Sequence, residues 1–151
     1  MNKFMFLAIE EAKEGIRNNE GGPFGTVIVK NGEVVAKGHN RVLLNNDATC
    51  HGEMEAIRAA SKKLGTFDLS GCELYTTGEP CPMCLGAILW SNISRVYYGC
   101  NILDTEDIGF RDKKFYEMSE ESKSKFISEL DREACLELYQ EYKNISDKKN
   151  Y

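Results

Sequence analysis

The sequence predicts an α/β protein, a three-layer α/β/α sandwich around a central mixed sheet of five strands. Three observations lead there. Two β-rich runs flank Asn31-Gly32, a strong short-range signal for a hairpin. Segments of helical period then alternate with short β-rich segments, which implies a mixed sheet with helices on both faces. The chain has 151 residues, which suits one domain with one core.

Each element follows in order. Phe4, Leu7, Ala8, Ala12 and Ile16 recur at helical spacing, so a first helix runs from roughly residue 3 to 18. Asn18 to Pro23 ends it as a loop. Gly25 to Lys30 and Glu33 to Lys37 are the hairpin strands, and Asn40 to Cys50 is a polar loop. His51 to Leu64 reads as a helix, with Met54, Ile57, Arg58 and Ala60 at helical offsets and Gly65 as its stop. Cys72 to Thr77 is a strand, Pro82 to Trp90 an apolar helix and Ser94 to Cys100 another strand. Asp104 to Phe110 reads as a loop and Lys113 to Met118 as a short helix. Lys125 to Leu130 supplies the fifth strand and Arg132 to Lys143 the last helix.

Composition narrows the function. Hydrophobic residues make up 42% of the chain and charges are spread along it, the balance of a soluble globular protein. No apolar run approaches the ~18 residues needed to span a membrane. The opening Met1 to Ile9 runs straight into Glu10, Glu11, Lys13 and Glu14 without a small-residue cleavage site, so it reads as a surface helix and not a signal peptide. Cys50, Cys72, Cys81, Cys84, Cys100 and Cys135 are even in number, but the chain is neither short nor signal-bearing. Reduced thiols in a cytoplasmic protein fit better than a disulfide framework. The net charge of -5 and a C-terminal stretch of mixed sign argue against a nucleic-acid partner.

Chemistry concentrates in two clusters. His51-Gly52-Glu53 stands at a loop-to-helix junction, and Glu79-Pro80-Cys81-Pro82-Met83-Cys84 stands where a strand turns into a helix. Cys81 and Cys84 are three apart at a helix opening, so both sulfurs can face one point, and a helix start favours thiolate. His51 adds a nitrogen from a second helix start. These are three protein ligands; zinc takes four, and three plus a water is the open arrangement of a catalytic site. Zinc lowers the pKa of bound water from 15.7 towards ~7. Glu53, two residues past the ligand, can carry protons from that water to a ring nitrogen and to a departing amine, work worth ~10² to 10⁴ in rate. A lone Cys-x-x-Cys also fits a structural zinc knuckle or a redox pair. A structural site needs a fourth ligand, however, and the nearest candidates fit elsewhere: His39 on a pocket rim beside Asn40, Cys50 in the core. His-x-Glu followed by Pro-Cys-x-x-Cys is the signature of zinc deaminases.

On these residues the chain resembles the cytidine-deaminase-like superfamily and, within it, bacterial guanine deaminases. Gly21-Gly22-Pro23-Phe24-Gly25, Gly38-His39-Asn40, the run from Glu79 to Trp90, Gly109-Phe110-Arg111-Asp112 and the terminal Lys148-Lys149-Asn150-Tyr151 extend the resemblance over nearly the whole chain. It implies the cytidine-deaminase-like fold, a Zn²⁺ ion on His51, Cys81 and Cys84, and Glu53 as proton shuttle. It implies that Asp112 binds the amino edge of guanine and helps to move a proton. It also implies a substrate pocket made by Phe24, Asn40, Gly52, Trp90 and Tyr151. Asn40 would pair with the purine edge, Phe24 and Trp90 would sandwich the base, and Gly52 would let backbone approach the ligand. Tyr151 would close the pocket from the partner subunit of a homodimer. Without the family, Asn40 is a turn cap, Phe24 and Trp90 are core aromatics, Asp112 is a solvated carboxylate and Tyr151 a frayed end. Two positions depart from the pattern: Gly52 stands where Ala is usual, and Arg111 where an acidic residue is expected.

The resulting expectation is a single zinc-dependent domain over residues 1–151, whose C-terminal helix and tail (about 131–151) cover a partner's active site. Its reaction is hydrolysis of guanine to xanthine and ammonia, on a free nucleobase substrate. Cytosine or a related amino-heterocycle, tRNA adenosine, and a non-catalytic zinc-binding module are the alternatives.

Overall fold

The computed structural model describes residues 1–151, in two compact units, Met1–Tyr116 and Glu117–Tyr151. The first unit begins with α1 (Lys3–Arg17). The Asn2 side chain accepts the backbone N–H groups of Phe4 at 2.9 Å and Met5 at 3.1 Å, donors that a helix start otherwise leaves unpaired. Ala8, Glu11, Ala12 and Gly15 recur at three- and four-residue offsets and form the buried face.

The hairpin follows as β1 (Gly25–Lys30) and β2 (Glu33–His39), paired antiparallel. Asn31 and Gly32 between them have φ of 51° and 78°, the left-handed pair whose twist suits a two-residue hairpin turn. Next come α2 (Val42–Asn45), α3 (Gly52–Leu64), β3 (Cys72–Gly78), α4 (Pro82–Trp90) and β4 (Arg95–Cys100). The sheet order is β2-β1-β3-β4; β1 is antiparallel to β2 and β3, and β3 is parallel to β4. The sheet is therefore mixed, as expected.

Alternation along β1 builds the layers. Val27 and Val29 pack with Ala8 and Tyr75 on the α1 side, and Ile28 packs with Ala56, Ala60, Leu74 and Ile88 on the side of α3 and α4. Full burial of each Val, Leu or Ile side chain among them contributes ~1.5–3 kcal/mol. On β2, Gly38 brings α3 into direct contact: a Cβ there would stand 2.6 Å from the Ala56 backbone nitrogen. This closeness holds the first turn of α3 against the sheet.

Three expectations are corrected. The segment read as a loop from Asp104 begins inside α5 (Ile102–Asp107), which is started by a capping box in which Asn101 and Asp104 each accept the other's backbone N–H. The polar loop from Asn40 contains the single turn α2. The sheet has four strands and not five. In the second unit, Ser119 caps α7 (Glu120–Phe126), and Lys123–Glu120 and Lys125–Glu121 pairs at helical offsets draw the start of the supposed strand into that helix. Ile127 is extended, but residues 127–130 pair with no strand. The second unit ends in α8 (Arg132–Lys143). The first unit closes with α6 (Asp112–Tyr116). No helix is long and apolar enough to cross a membrane, and all six cysteines are free thiols.

Candidate metal centre and active site

Two helix starts converge on one point. His51 is the N-cap of α3 and Cys81 the N-cap of α4, both in extended backbone conformation, and Pro82 opens α4 with Cys84 one turn in. The His51 Nδ1 atom lies 3.6 Å from Cys81 Sγ and 3.6 Å from Cys84 Sγ. All three ligand atoms fall within 4.8 Å of one another. A tetrahedral zinc with Zn–N near 2.0 Å and Zn–S near 2.3 Å would separate nitrogen and sulfur by about 3.5 Å. The donor set therefore fits zinc in chemistry and in spacing, and no fourth His, Cys, Asp or Glu joins the cluster.

The protonation pattern suits a cation. The Cys84 thiol, by hydrogen bonding to Cys81, pulls Cys81 down to about 4, helped by the His51 ring; the same shared proton pushes Cys84 up. His51 is raised, chiefly by its hydrogen bond with Cys81. A metal replaces the shared protons on such a set, because it binds thiolate and neutral imidazole.

Glu53 sits in the first turn of α3, buried to 6% exposure. Its Oε1 accepts a hydrogen bond from the Thr76 hydroxyl at 3.5 Å, and Thr76 in turn accepts from Thr26 at 3.2 Å. Burial pushes its carboxyl above the ordinary carboxylate range, and the neighbouring Cys81 charge adds to the rise. Asp112, at the start of α6, is raised for the same two reasons, burial first.

A cavity of about 430 Å³ opens beside these groups. His51, Glu53, Cys81, Asp112, Asn40 and Phe24 all line it, so it gathers six of the residues singled out in the sequence. Asn40 is buried; its Oδ1 accepts the Val42 N–H at 3.0 Å while its own N–H donates to Phe24 O at 2.9 Å. It is thus both a turn cap and a cavity residue.

Other expectations land elsewhere. Trp90 stands at the far end of α4 from Cys81, 66% exposed, and does not line the cavity. The aromatic side chain beside Phe24 is Phe110, whose ring meets Phe24 edge-on at 4.8 Å and 82°. Gly52 packs α3 onto β1 instead of lining the cavity: a Cβ there would meet Phe24 O at 3.0 Å and Thr26 Oγ1 at 3.2 Å. His39 is not on the rim; it is buried at the end of β2 between Glu11 and Glu20. Tyr151 ends the second unit and is exposed. Phe110 and Glu79, which stand in the sequence motifs without an expected role, also line the cavity. Glu79 accepts the Ile102 N–H at 2.8 Å, so α5, itself unforeseen, fixes its position. Arg111, the departure noted above, also lines the cavity and is its one lysine or arginine.

Residues 1–100 match the family model for the cytidine and deoxycytidylate deaminase zinc-binding region. The sequence is 42% identical to a guanine deaminase of Bacillus subtilis (strain 168) over 156 residues, covering all of both chains. It is 39% identical to a tRNA-specific adenosine deaminase of Aquifex aeolicus (strain VF5) over 142 residues, covering 84% of this chain and 93% of that one. The X-ray structure of guanine deaminase from Bacillus subtilis superposes with a TM-score of 0.92 at 40% identity, over 100% of this chain and 99% of that one.

Proposed function

Because the chain belongs to the cytidine and deoxycytidylate deaminase zinc-binding family, we propose that it deaminates guanine: guanine and water give xanthine and ammonia. The observation that carries the choice of base is the end-to-end similarity to a guanine deaminase, which takes in the C-terminal unit as well as the metal centre.

His51, Cys81 and Cys84 hold zinc, which when bound supplies a water acidic enough to react near neutral pH. Glu53 then does the proton work. Its carboxylate takes a proton from the attacking water and delivers it to the ring nitrogen beside the amine-bearing carbon. It takes the second and passes it to the departing amino group, which leaves as ammonia. Burial suits this cycle, since a carboxyl raised towards neutrality both accepts and returns a proton. Phe24 and Phe110 present aromatic surface to the flat base, Asn40 reads the purine edge through its carboxamide, and Asp112 receives the amino edge. Two copies of the chain pair in the cytoplasm, and the partner's Tyr151 closes the pocket.

The test is direct. Zinc-loaded protein is incubated separately with guanine, adenine, cytosine, guanosine, cytidine and an adenosine-bearing tRNA, and ammonia is followed. Turnover of guanine, with xanthine as product, is expected. Turnover of cytosine or the tRNA without guanine would overturn the choice of substrate, and no release from any compound would leave a zinc-binding module. Sedimentation at micromolar concentration should give a dimer; a clean 17 kDa species would remove the partner's Tyr151 from the pocket.

A further inference from the structure

Behind the cavity wall lies a buried polar cluster that the proton chemistry does not use. The His39 ring is 1% exposed. Its Nδ1 lies 3.0 Å from Glu11 Oε1 on α1, and its Nε2 hydrogen-bonds Glu20 Oε2 in the loop before β1. Lys37 Nζ reaches the other oxygen of Glu11 at 3.2 Å, and Arg41 Nε lies 3.5 Å from Glu20 Oε2. Two carboxylates, one imidazole and two cations thus tie α1, the loop and the end of β2 together on the side of the sheet away from α3.

The same residues suspend the cavity wall. Glu20 is followed directly by Gly21 and Gly22, which line the cavity, and its carbonyl accepts the N–H groups of Leu43 at 3.0 Å and Leu44 at 3.2 Å. His39 is followed directly by Asn40, and strand alternation sends the two side chains to opposite faces. Asn40 in turn joins the backbone of Phe24.

We propose that His39 is a positioning residue for base recognition. Clasped between Glu11 and Glu20, it fixes the end of β2 and the Glu20–Phe24 loop, so that the Asn40 carboxamide and the Phe24 ring meet the base in register. The proposal rests on the guanine-deaminating reading of the same site. No hydrogen bond of the clasp reaches the metal ligands or Glu53. Loosening it therefore weakens substrate binding and spares the chemical step.

Glu20→Ala is the cleaner variant, because it removes one carboxylate of the clasp and leaves the His39 ring in place against Glu11. His39→Gln, which reaches one carboxylate through its single NH₂, gives a smaller change in the same direction. In the zinc-loaded full chain, Glu20→Ala should raise the KM for guanine by about tenfold or more, as a misplaced contact group does, while kcat and zinc content stay within about twofold. An unchanged KM with a lowered Tm would reduce the clasp to a structural brace. A fall in kcat at unchanged KM would also overturn the proposal. Wild-type protein in the same assay separates the two readings. If it releases no ammonia from guanine, the substrate assignment fails, and the KM comparison is made on whichever compound of the panel it does deaminate.

Discussion

Adding one methyl group at Gly38 should damage a site it does not touch. A Cβ at that position would lie 2.6 Å from the Ala56 backbone nitrogen, 2.8 Å from Gly52 O and 2.9 Å from Glu55 Cβ. Ordinary contact begins at 3.4 Å, so α3 must move off β2 by about 0.8 Å, the shortfall against Ala56. Backbone atoms supply two of the three clashes, so no side-chain rotation relieves them. Such overpacking costs about 1–3 kcal/mol, which in a chain of this size lowers Tm by about 2–12 °C. The effect on catalysis is sharper. α3 carries His51 and Glu53, whereas Cys81 and Cys84 ride on α4, so the shift splits the ligand set and misplaces the proton shuttle. A displacement near 1 Å costs about 10²-fold in rate. Gly38→Ala should therefore fold, lose about two orders of magnitude in kcat/KM and bind zinc more weakly, read by ammonia release and zinc competition. Wild-type activity and zinc affinity in a folded Gly38→Ala protein would refute the idea that the β2–α3 contact sets the site.

Glu53→Gln should keep its zinc and lose about 10²–10⁴ in kcat; loss of metal instead would make the carboxylate a ligand. Phe110→Ala should weaken guanine binding by about 1–3 kcal/mol, the worth of one base–aromatic stack, and an unmoved KM would leave Phe110 as a support for Phe24. Asp68 accepts from the Ser70 N–H, the Ser70 hydroxyl and Asn92, and the Ser70 hydroxyl bond leads in holding it below its ordinary 3.8. A carboxylate depressed in the folded state stabilises above its unfolded pKa and ceases to do so as pH falls through its folded pKa. Thermal melts of wild type and Asp68→Asn should therefore differ at neutral pH and converge in acid; a constant gap would mean that Asp68 acts without its charge.

The parts of the fold legible in sequence are those whose signals are local. Asn31-Gly32 dictated the hairpin turn, Gly65 the end of α3, and the apolar run from Pro82 the length of α4. The metal set was legible for the same reason: His51, Cys81 and Cys84 each occupy a helix start, so short spacings determine where their donor atoms point. The failures are of two kinds. α5 had a readable signal, Asn101 with Asp104 three residues on, which lacked only an apolar periodicity to draw attention to it. The supposed fifth strand, Lys125 to Leu130, holds Phe126 and Ile127, β-forming residues that need a neighbouring ladder, and propensity cannot say whether one is there. Trp90 was placed in the pocket by resemblance, yet a nine-residue helix carries it to the end opposite Cys81. Phe110 lies 86 positions from Phe24, and only the folded loop between α5 and α6 brings the two rings together.

The measurement that bears most directly on the account is X-ray absorption at the zinc edge of the purified, substrate-free protein. One zinc per chain is expected, with two sulfur neighbours at about 2.3 Å and two light atoms at about 2.0–2.1 Å, one from His51 and one from solvent. A third sulfur, a second histidine or no bound zinc would contradict a reactive centre held by His51, Cys81 and Cys84 alone.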